Sequence, residues 1–172
     1  MHIKKIRKSV GVLCATMLCG TMLFTGCSSN DIAKKESKPM YEATFSVSTS
    51  ETFDINIDEK SGYAMNVDTD SFTVYSKDDS KVSTDVTGVF LDKKVMNQTQ
   101  AKFHEDSSYK EITVDGQTGY SFEAQNKDKI KTYVHVIPCD GSDATYLELF
   151  STISEKDLTS VEKTLHVEKS DK

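Results

Sequence analysis

Apolar and polar residues alternate along the central part of the chain with the two-residue period of β-strands. Residues 53–57 read FDINI, and residues 63–67 read YAMNV. The segment between them is short and contains Gly62. Two alternating segments joined by a short glycine-containing turn are typical of a β-hairpin. We therefore predict that these two strands pair with each other.

Six further segments have the composition and alternation of strands. They cover residues 72–74, 86–91, 110–114, 119–125, 131–137 and 145–153. Asp115-Gly116 and Asp140-Gly141 are turn signals, because Asp and Gly accept the backbone conformations that tight turns need. The short links between the later strands favour antiparallel pairing.

Two helices are indicated by residues that cap helix N-termini. Asp92 precedes a predicted helix over residues 93–104, and Ser154 opens a variant of the capping box with Asp157 three residues later. Apolar or small side chains then recur at helical spacing, at Val95, Met96, Thr99 and Phe103 after the first cap and at Leu158, Val161 and Leu165 after the second. The predicted fold is α+β, with an antiparallel, twisted sheet of about six to eight strands and two main helices packed on it.

The order of these elements resembles the PsbP-like fold. The resemblance rests on INIDEKSGYAMNV, VTGVFLDKK, VDGQTGYSF and LELFSTISEKDLTSVEKTL, and it covers about residues 50–168. That family includes an extrinsic subunit of photosystem II, a Ran-binding nuclear import factor and many bacterial lipoproteins. The resemblance implies a non-enzymatic accessory or binding module.

The N-terminus has the pattern of a secretory signal peptide. Lys4, Lys5, Arg7 and Lys8 precede an apolar run over residues 10–24. The run is short for a membrane span, which needs about 20 apolar residues. We therefore expect the chain to be exported.

The end of this run resembles the lipobox of bacterial lipoproteins. Leu23, Phe24, Thr25 and Gly26 precede Cys27, and they would be the residues that the signal peptidase recognises. Phe24 stands where the family most often has Leu. The resemblance implies that Cys27 receives a diacylglyceryl group and becomes the new N-terminus. An ordinary signal peptide with a coincidental cysteine is the alternative.

The lipobox divides the chain into three parts. Residues 1–26 are the predicted lipoprotein signal peptide, residues 27–40 the lipidated cysteine and a polar tether, and residues 41–169 a single α+β domain. One acyl chain gives only marginal membrane binding, whereas two give a stable anchor. We expect a protein held by its lipid on the extracytoplasmic face of a bacterial cell membrane.

The charge of the mature chain argues against nucleic acid as a partner. Residues 1–26 carry four of the 21 basic side chains and none of the 27 acidic ones, which leaves 17 basic against 27 acidic and a formal charge of −10. Such a surface repels phosphate groups, in nucleic acids and in anionic lipid headgroups alike. The expected partners are the membrane, through the anchor, and a protein or another component of the cell envelope.

No motif predicts a catalytic, cofactor-binding or metal site. His135 and Cys139 are too few to hold zinc, and Asn66, Asp68 and Asp70 begin like a calcium loop that then has Lys77 at the position of its glutamate. Cys139 is expected to be a small, half-buried residue at a strand end, and His135 a half-buried strand histidine beside a turn. His104 and His166 are expected near helix C-termini, where a cation is favourable.

Six tyrosines lie in or beside predicted strands, at positions 63, 75, 109, 120, 133 and 146. Tyrosine is common at interfaces, but it also closes the rims of hydrophobic cores. The sequence therefore favours a membrane-anchored, non-enzymatic binding or accessory module. The alternatives are a small extracytoplasmic hydrolase and a carrier of a small apolar ligand.

Overall fold

The computed structural model describes residues 39–78, 85–125 and 128–170. These residues form an α+β fold with two helices and two antiparallel sheets of three and seven strands. The predicted signal peptide, Cys27 and nearly all of the predicted tether lie outside the described residues.

The larger sheet has the strand order β3-β4-β5-β9-β8-β7-β6, and all neighbours are antiparallel. Its strands are β3 (Tyr63–Val67), β4 (Ser71–Ser76), β5 (Val86–Asp92), β6 (Lys110–Val114), β7 (Gln117–Gln125), β8 (Lys131–Pro138) and β9 (Thr145–Ser151). Every one of these strands was expected from the alternation. Asp115 and Gly116 have positive φ angles of 49° and 82°, which confirms the predicted turn between β6 and β7.

The smaller sheet is a departure from the expected single sheet. It contains β1 (Glu42–Ser46), β2 (Thr52–Ile57) and β10 (Leu165–Lys169) in the order β1-β2-β10. The sequence did not predict β1 or β10. Both pair with β2, and the two chain ends of the domain therefore meet in one sheet.

The predicted hairpin between residues 53–57 and 63–67 is wrong. These segments are β2 and β3, and they lie in different sheets. A 3₁₀ turn at Glu59–Ser61 and the left-handed Gly62, with φ of 85°, carry the chain from one sheet into the other. The separation allows the apolar face of β2 to pack into the core instead of lying edge to edge with β3, and Phe53 and Ile55 are fully buried.

The two helices begin at the predicted caps. The Asp92 carboxylate accepts a hydrogen bond from Val95 N at 2.8 Å at the start of α1 (Lys93–Phe103). The Ser154 hydroxyl accepts one from Asp157 N at 3.1 Å at the start of α2 (Glu155–Glu162). However, α2 ends before Leu165, which is the first residue of β10 and not part of the helical stripe.

The larger sheet has a core on each face, because successive side chains of a strand point to opposite sides. On one face, Ile137 of β8 packs with Leu158 and Val161 of α2 and with the smaller sheet. On the other face, Val134 and Val136 pack with a cluster that includes residues of α1. The two faces therefore have separate coverings, and the face beneath α2 and the smaller sheet holds the larger core.

A hydrogen-bonded cluster around Glu51 ties the two sheets together. One carboxylate oxygen accepts hydrogen bonds from the Ser142 and Thr145 hydroxyls at 2.6 and 2.5 Å, and the other accepts one from Lys169 Nζ at 2.8 Å. These donors come from the β8–β9 region and from β10. They hold the pKa of Glu51 down to about 2, with the Lys169 ammonium as the largest cause.

Candidate functional site

Two acidic residues mark the ends of α2 on the face of the larger sheet that carries the larger core. Glu155 is its first residue and Glu162 its last, while Leu158 and Val161 are fully buried between them. Two clefts open on this face. Glu155 lines the first and Glu162 lines the second.

A buried histidine–glutamate pair lies beneath α2. The His135 Nδ1 atom of β8 is 3.3 Å from the Glu162 carboxylate, and the two side chains are 6% and 9% exposed. The His135 Nε2 atom is buried and has no hydrogen-bond partner among the described residues. Most buried polar atoms in proteins have a hydrogen-bond partner, because burying one without a partner costs free energy. The Nε2 atom of His135 is therefore available for a hydrogen bond to a further group.

Ser121 lies next to His135 on the neighbouring strand. The two residues are directly opposite each other in the β7–β8 pair, so their side chains are on the same face of the sheet. Residues opposite each other in an antiparallel pair have Cβ atoms about 4.5–5.5 Å apart. A hydroxyl, an imidazole and a carboxylate are therefore neighbours here, in that order.

Ser121 and His135 line the first cleft, which has a volume of about 300 Å³ and which we call the serine cleft. Its polar lining consists mainly of hydroxyl groups and of charges of both signs. These come from Ser107, Ser108, Lys110, Ser121, Glu123 and Glu155.

The second cleft has a volume of about 320 Å³ and follows β10, so we call it the β10 cleft. Its apolar lining comes from both sheets and comprises Val114, Ile137, Leu147, Leu149, Leu165 and Val167. Four carboxylates also line it, those of Asp115, Asp140, Glu162 and Glu168. A concave surface with an apolar floor and a few polar groups is the usual form of a binding site.

The opposite face of the larger sheet contains a buried acid. Glu148 of β9 is 4% exposed, and burial raises its pKa to about 7. Burial and the nearby Glu148 raise the pKa of Tyr120, whose hydroxyl donates to Met96 O of α1 at 3.3 Å. Tyr109 stacks on Tyr120, with ring centroids 5.7 Å apart.

The two residues considered as zinc ligands lie in different clefts. His135 lines the serine cleft, whereas Cys139 lines the β10 cleft. Asn66 is in β3, and Asp68 and Asp70 are in the connection to β4. Within the described ranges, no group of three or more His, Cys, Asp or Glu side chains is arranged to hold a metal ion.

Three expectations about individual side chains need correction. Cys139 is fully buried at 3% exposure, not half-buried, and burial raises its thiol pKa to about 12. His135 was expected to be a half-buried strand residue, but it is buried and paired with Glu162. His166 is in β10 and not near a helix C-terminus, whereas His104 caps α1 as predicted.

No sequence pattern pointed to Ser121 or Glu162. They are 14 and 27 residues from His135 in the chain, and only the β7–β8 register and the docking of α2 bring them near it. A Ser–His–Glu arrangement has no fixed sequence spacing, because it is defined by geometry.

No family model matches the chain, and neither the curated proteins nor the solved structures include one that is significantly similar to it. No helix in the described part of the chain is both long and apolar enough to span a membrane.

Proposed function

We propose that the protein is a lipid-anchored extracytoplasmic lipoprotein whose α+β domain is a non-enzymatic binding or accessory module. The β10 cleft carries this proposal, because it is an open concavity in which apolar side chains of both sheets are rimmed by carboxylates. Its charge matches the acidic character of the mature chain, which favours a protein partner over nucleic acid.

The proposed anchor is Cys27, and the support for it is the sequence LFTGCSS after a basic and apolar leader. Replacing Cys27→Ser removes the thiol that would be lipidated, so the variant should leave the membrane fraction for the soluble fraction of the envelope or the medium. Ser28→Ala is the matched control and should remain with the membrane. A Cys27→Ser variant that sediments with the membrane as the unmodified chain does would contradict the anchor.

We assign the domain to the PsbP-like fold as part of this proposal. The support is the order of elements, in which strands, α1, four strands and α2 follow one another as the resemblance implies. An experimental structure compared with members of that family would test the assignment.

Binding by the β10 cleft can be tested in the anchored protein. A photo-crosslinking amino acid in place of His166, which is exposed and lines the cleft, should capture a partner when the native cells are irradiated. The same amino acid in place of Glu111, which is exposed on β6 and lines neither cleft, is the matched control. If no adduct forms at position 166 or elsewhere on the domain surface, the binding function is wrong.

A second candidate function is supported by Ser121, His135 and Glu162. Glu162 orients the His135 ring through Nδ1, which leaves Nε2 as the nitrogen that could accept a proton from the Ser121 hydroxyl. The hydroxyl oxygen would then bond to an ester carbonyl carbon, and the leaving alcohol would take the proton from His135. Water would hydrolyse the resulting acyl-serine, which makes this candidate a small extracytoplasmic hydrolase.

A fluorophosphonate separates the two functions, because it phosphonylates only an activated serine and its adduct can be located by mass spectrometry. The hydrolase predicts an adduct on Ser121 that is lost in His135→Gln. Ser107, which lines the same cleft and is not opposite His135, provides the matched control variant Ser107→Ala. An unmodified Ser121 would exclude the hydrolase and leave the binding module. A carrier of an apolar ligand has no support from either cleft, because charged side chains line both.

A further inference from the structure

The β10 cleft has a charge of one sign. Four of its lining residues are Asp or Glu, and none is Lys or Arg. Asp115, Asp140 and Glu168 are exposed, and none of the three forms an ion pair with another described residue. The rim of this cleft is therefore a set of carboxylates whose charges are not neutralised from within the described part of the fold.

The cleft also follows the edge of a sheet. Leu165, His166, Val167 and Glu168 are consecutive residues of β10, and all four line it. Consecutive residues point to opposite faces of a strand, so a cleft lined by all of them runs along the strand and not only over one face. In the smaller sheet β10 pairs only with β2, and its other edge has a single bridge, between Glu168 and Asp140.

An edge strand offers backbone N–H and C=O groups to another chain. Extended peptides bind such edges by adding a strand, with affinity from backbone hydrogen bonds and specificity from pockets for alternate side chains. In the β10 cleft, apolar and acidic side chains could both contact such a peptide. Ile137, Leu147 and Leu165 provide apolar surface, while Asp115 and Glu168 provide negative charge.

We propose that the β10 cleft binds an extended segment of a partner protein in which basic and apolar residues alternate. The segment pairs with the part of the β10 edge that the Asp140–Glu168 bridge leaves open, places its apolar side chains on the floor and directs its Lys or Arg side chains to the acidic rim. This inference rests on the proposed binding function and specifies the chemistry of the partner. The volume of about 320 Å³ is at the lower end of the range for ligand pockets, about 300–1,000 Å³, which suits a few side chains of a peptide.

The test uses the full chain in detergent micelles and an alternating lysine–valine hexapeptide with blocked ends as the probe. Binding should shift the amide resonances of Leu165–Glu168 and Val114–Gln117, and it should weaken as the ionic strength rises from about 0.05 M to about 0.5 M. A glutamate–valine hexapeptide of the same length should not bind. Methylation of alternate amides of the lysine–valine peptide on the side facing β10 should abolish binding, since it removes the hydrogen bonds of strand pairing.

The charge of the rim is tested by Glu168→Lys, which should weaken binding about tenfold, a change worth about 1.4 kcal/mol. Glu111→Lys makes the same change of charge on a strand outside the cleft and should leave the affinity within about twofold. Equal weakening by both variants would mean that only the net charge of the protein matters, and it would overturn the proposal. Resonance shifts confined to the serine cleft would overturn it as well.

The crosslinking experiment tests the proposed binding function, and the peptide experiment tests the inferred chemistry of the partner, so one can be rejected without the other. A partner captured in cells from another surface, together with no peptide binding in the β10 cleft, would leave the binding module and reject this inference. A free amine such as a polyamine that displaces the peptide at equal concentration would show that the cleft selects cationic small molecules and not strands, which also rejects it. Loss of all adducts in cells would reject the proposed function itself.

Discussion

Glu51 ties the two sheets together and Glu148 lies beneath α1, and the surroundings of these two carboxyl groups are opposite. The side chain of Glu51 is 15% exposed and accepts hydrogen bonds from three hydroxyls and an ammonium. Glu148 is 4% exposed, and burial is the cause that shifts its pKa. The pKa of Glu51 falls to about 2, and that of Glu148 rises to about 7.

The difference shows that partners, and not burial alone, decide whether a carboxylate supports this fold. The donors around Glu51 stabilise its charged form and outweigh its partial desolvation. Around Glu148 desolvation acts alone and favours the neutral form. Glu51 therefore stabilises the fold in its ionised form, whereas ionisation of Glu148 destabilises the fold.

The two groups give opposite dependences of stability on pH. The folded pKa of Glu51 is below its reference value of 4.5, so the stability it contributes is present above about pH 4.5 and is lost as the pH falls toward 2. The folded pKa of Glu148 is above the same reference value, so the fold loses stability as the pH rises from 4.5 to about 7. The contributions of these two residues are together most favourable near pH 4.5.

The largest effect is expected from Glu148→Gln, which keeps the shape of the side chain and removes its charge. Near pH 4.5 the variant should unfold at about the same urea concentration as the unmodified chain, because both side chains are neutral there. Above pH 7 it should be more stable by about 3 kcal/mol, the free energy of a pKa raised from 4.5 to about 7. Urea denaturation over this pH range measures the difference.

Glu111→Gln is the control for this comparison, because it makes the same substitution on an exposed strand residue. Its stability should follow that of the unmodified chain at every pH within about 0.5 kcal/mol. A Glu148→Gln variant whose advantage does not change with pH would show that the carboxyl group is not neutralised in the fold.

Glu51→Gln should have a smaller effect of the opposite sign, a loss of about 2 kcal/mol near pH 7. An amide cannot accept hydrogen bonds on both of its ends, so either Lys169 or the Ser142 and Thr145 hydroxyls lose their acceptor. The loss should disappear near pH 2, where Glu51 itself is half protonated. Thermal unfolding at several pH values tests this, and a variant as stable as the unmodified chain at pH 7 would contradict the structural role of the cluster.

Thr145→Val tests one donor of the same cluster at almost constant volume. Thr145 is 1% exposed, and its hydroxyl lies 2.5 Å from the Glu51 carboxylate and 2.8 Å from the Thr49 hydroxyl. We expect a loss of about 1 kcal/mol and a rise in the pKa of Glu51, because one of the groups that lower it is gone. The carboxyl titration followed by NMR measures the pKa, and an unchanged midpoint would show that the hydroxyl is not part of the cluster in solution.

Local patterns predicted the strands of the larger sheet and the two caps, because alternation and capping depend on neighbouring residues. β1 was missed because Phe45 is its only large apolar residue, and β10 was missed because its partner β2 is far from it in the chain. Leu165 also fits a continued helical stripe after Leu158 and Val161, and only its pairing with Ile57 of β2 shows that it belongs to a strand.

The chemistry of the fold was harder to predict than its strands. Glu148 lies between Leu147 and Leu149, and the two-residue period places it on the polar, outward face of a strand. It is buried because α1 packs on that face of the sheet, which the alternation of β9 alone does not show. The His135–Glu162 pair likewise exists only because α2 docks over β8. Burial and partners of single polar residues are properties of the tertiary structure.

Tyr120→Phe should change the free energy of unfolding least among these variants. It can be compared with Thr145→Val. Each variant removes a hydroxyl near a carboxyl group, but Tyr120 donates to Met96 O at 3.3 Å and not to Glu148. We expect a loss of about 0.5 kcal/mol from this long hydrogen bond. The pKa of Glu148 should remain near 7, because burial raises it and a neutral phenol contributes no charge. A midpoint that moves by about one unit or more in the NMR titration would show that Tyr120, and not burial, controls this acid.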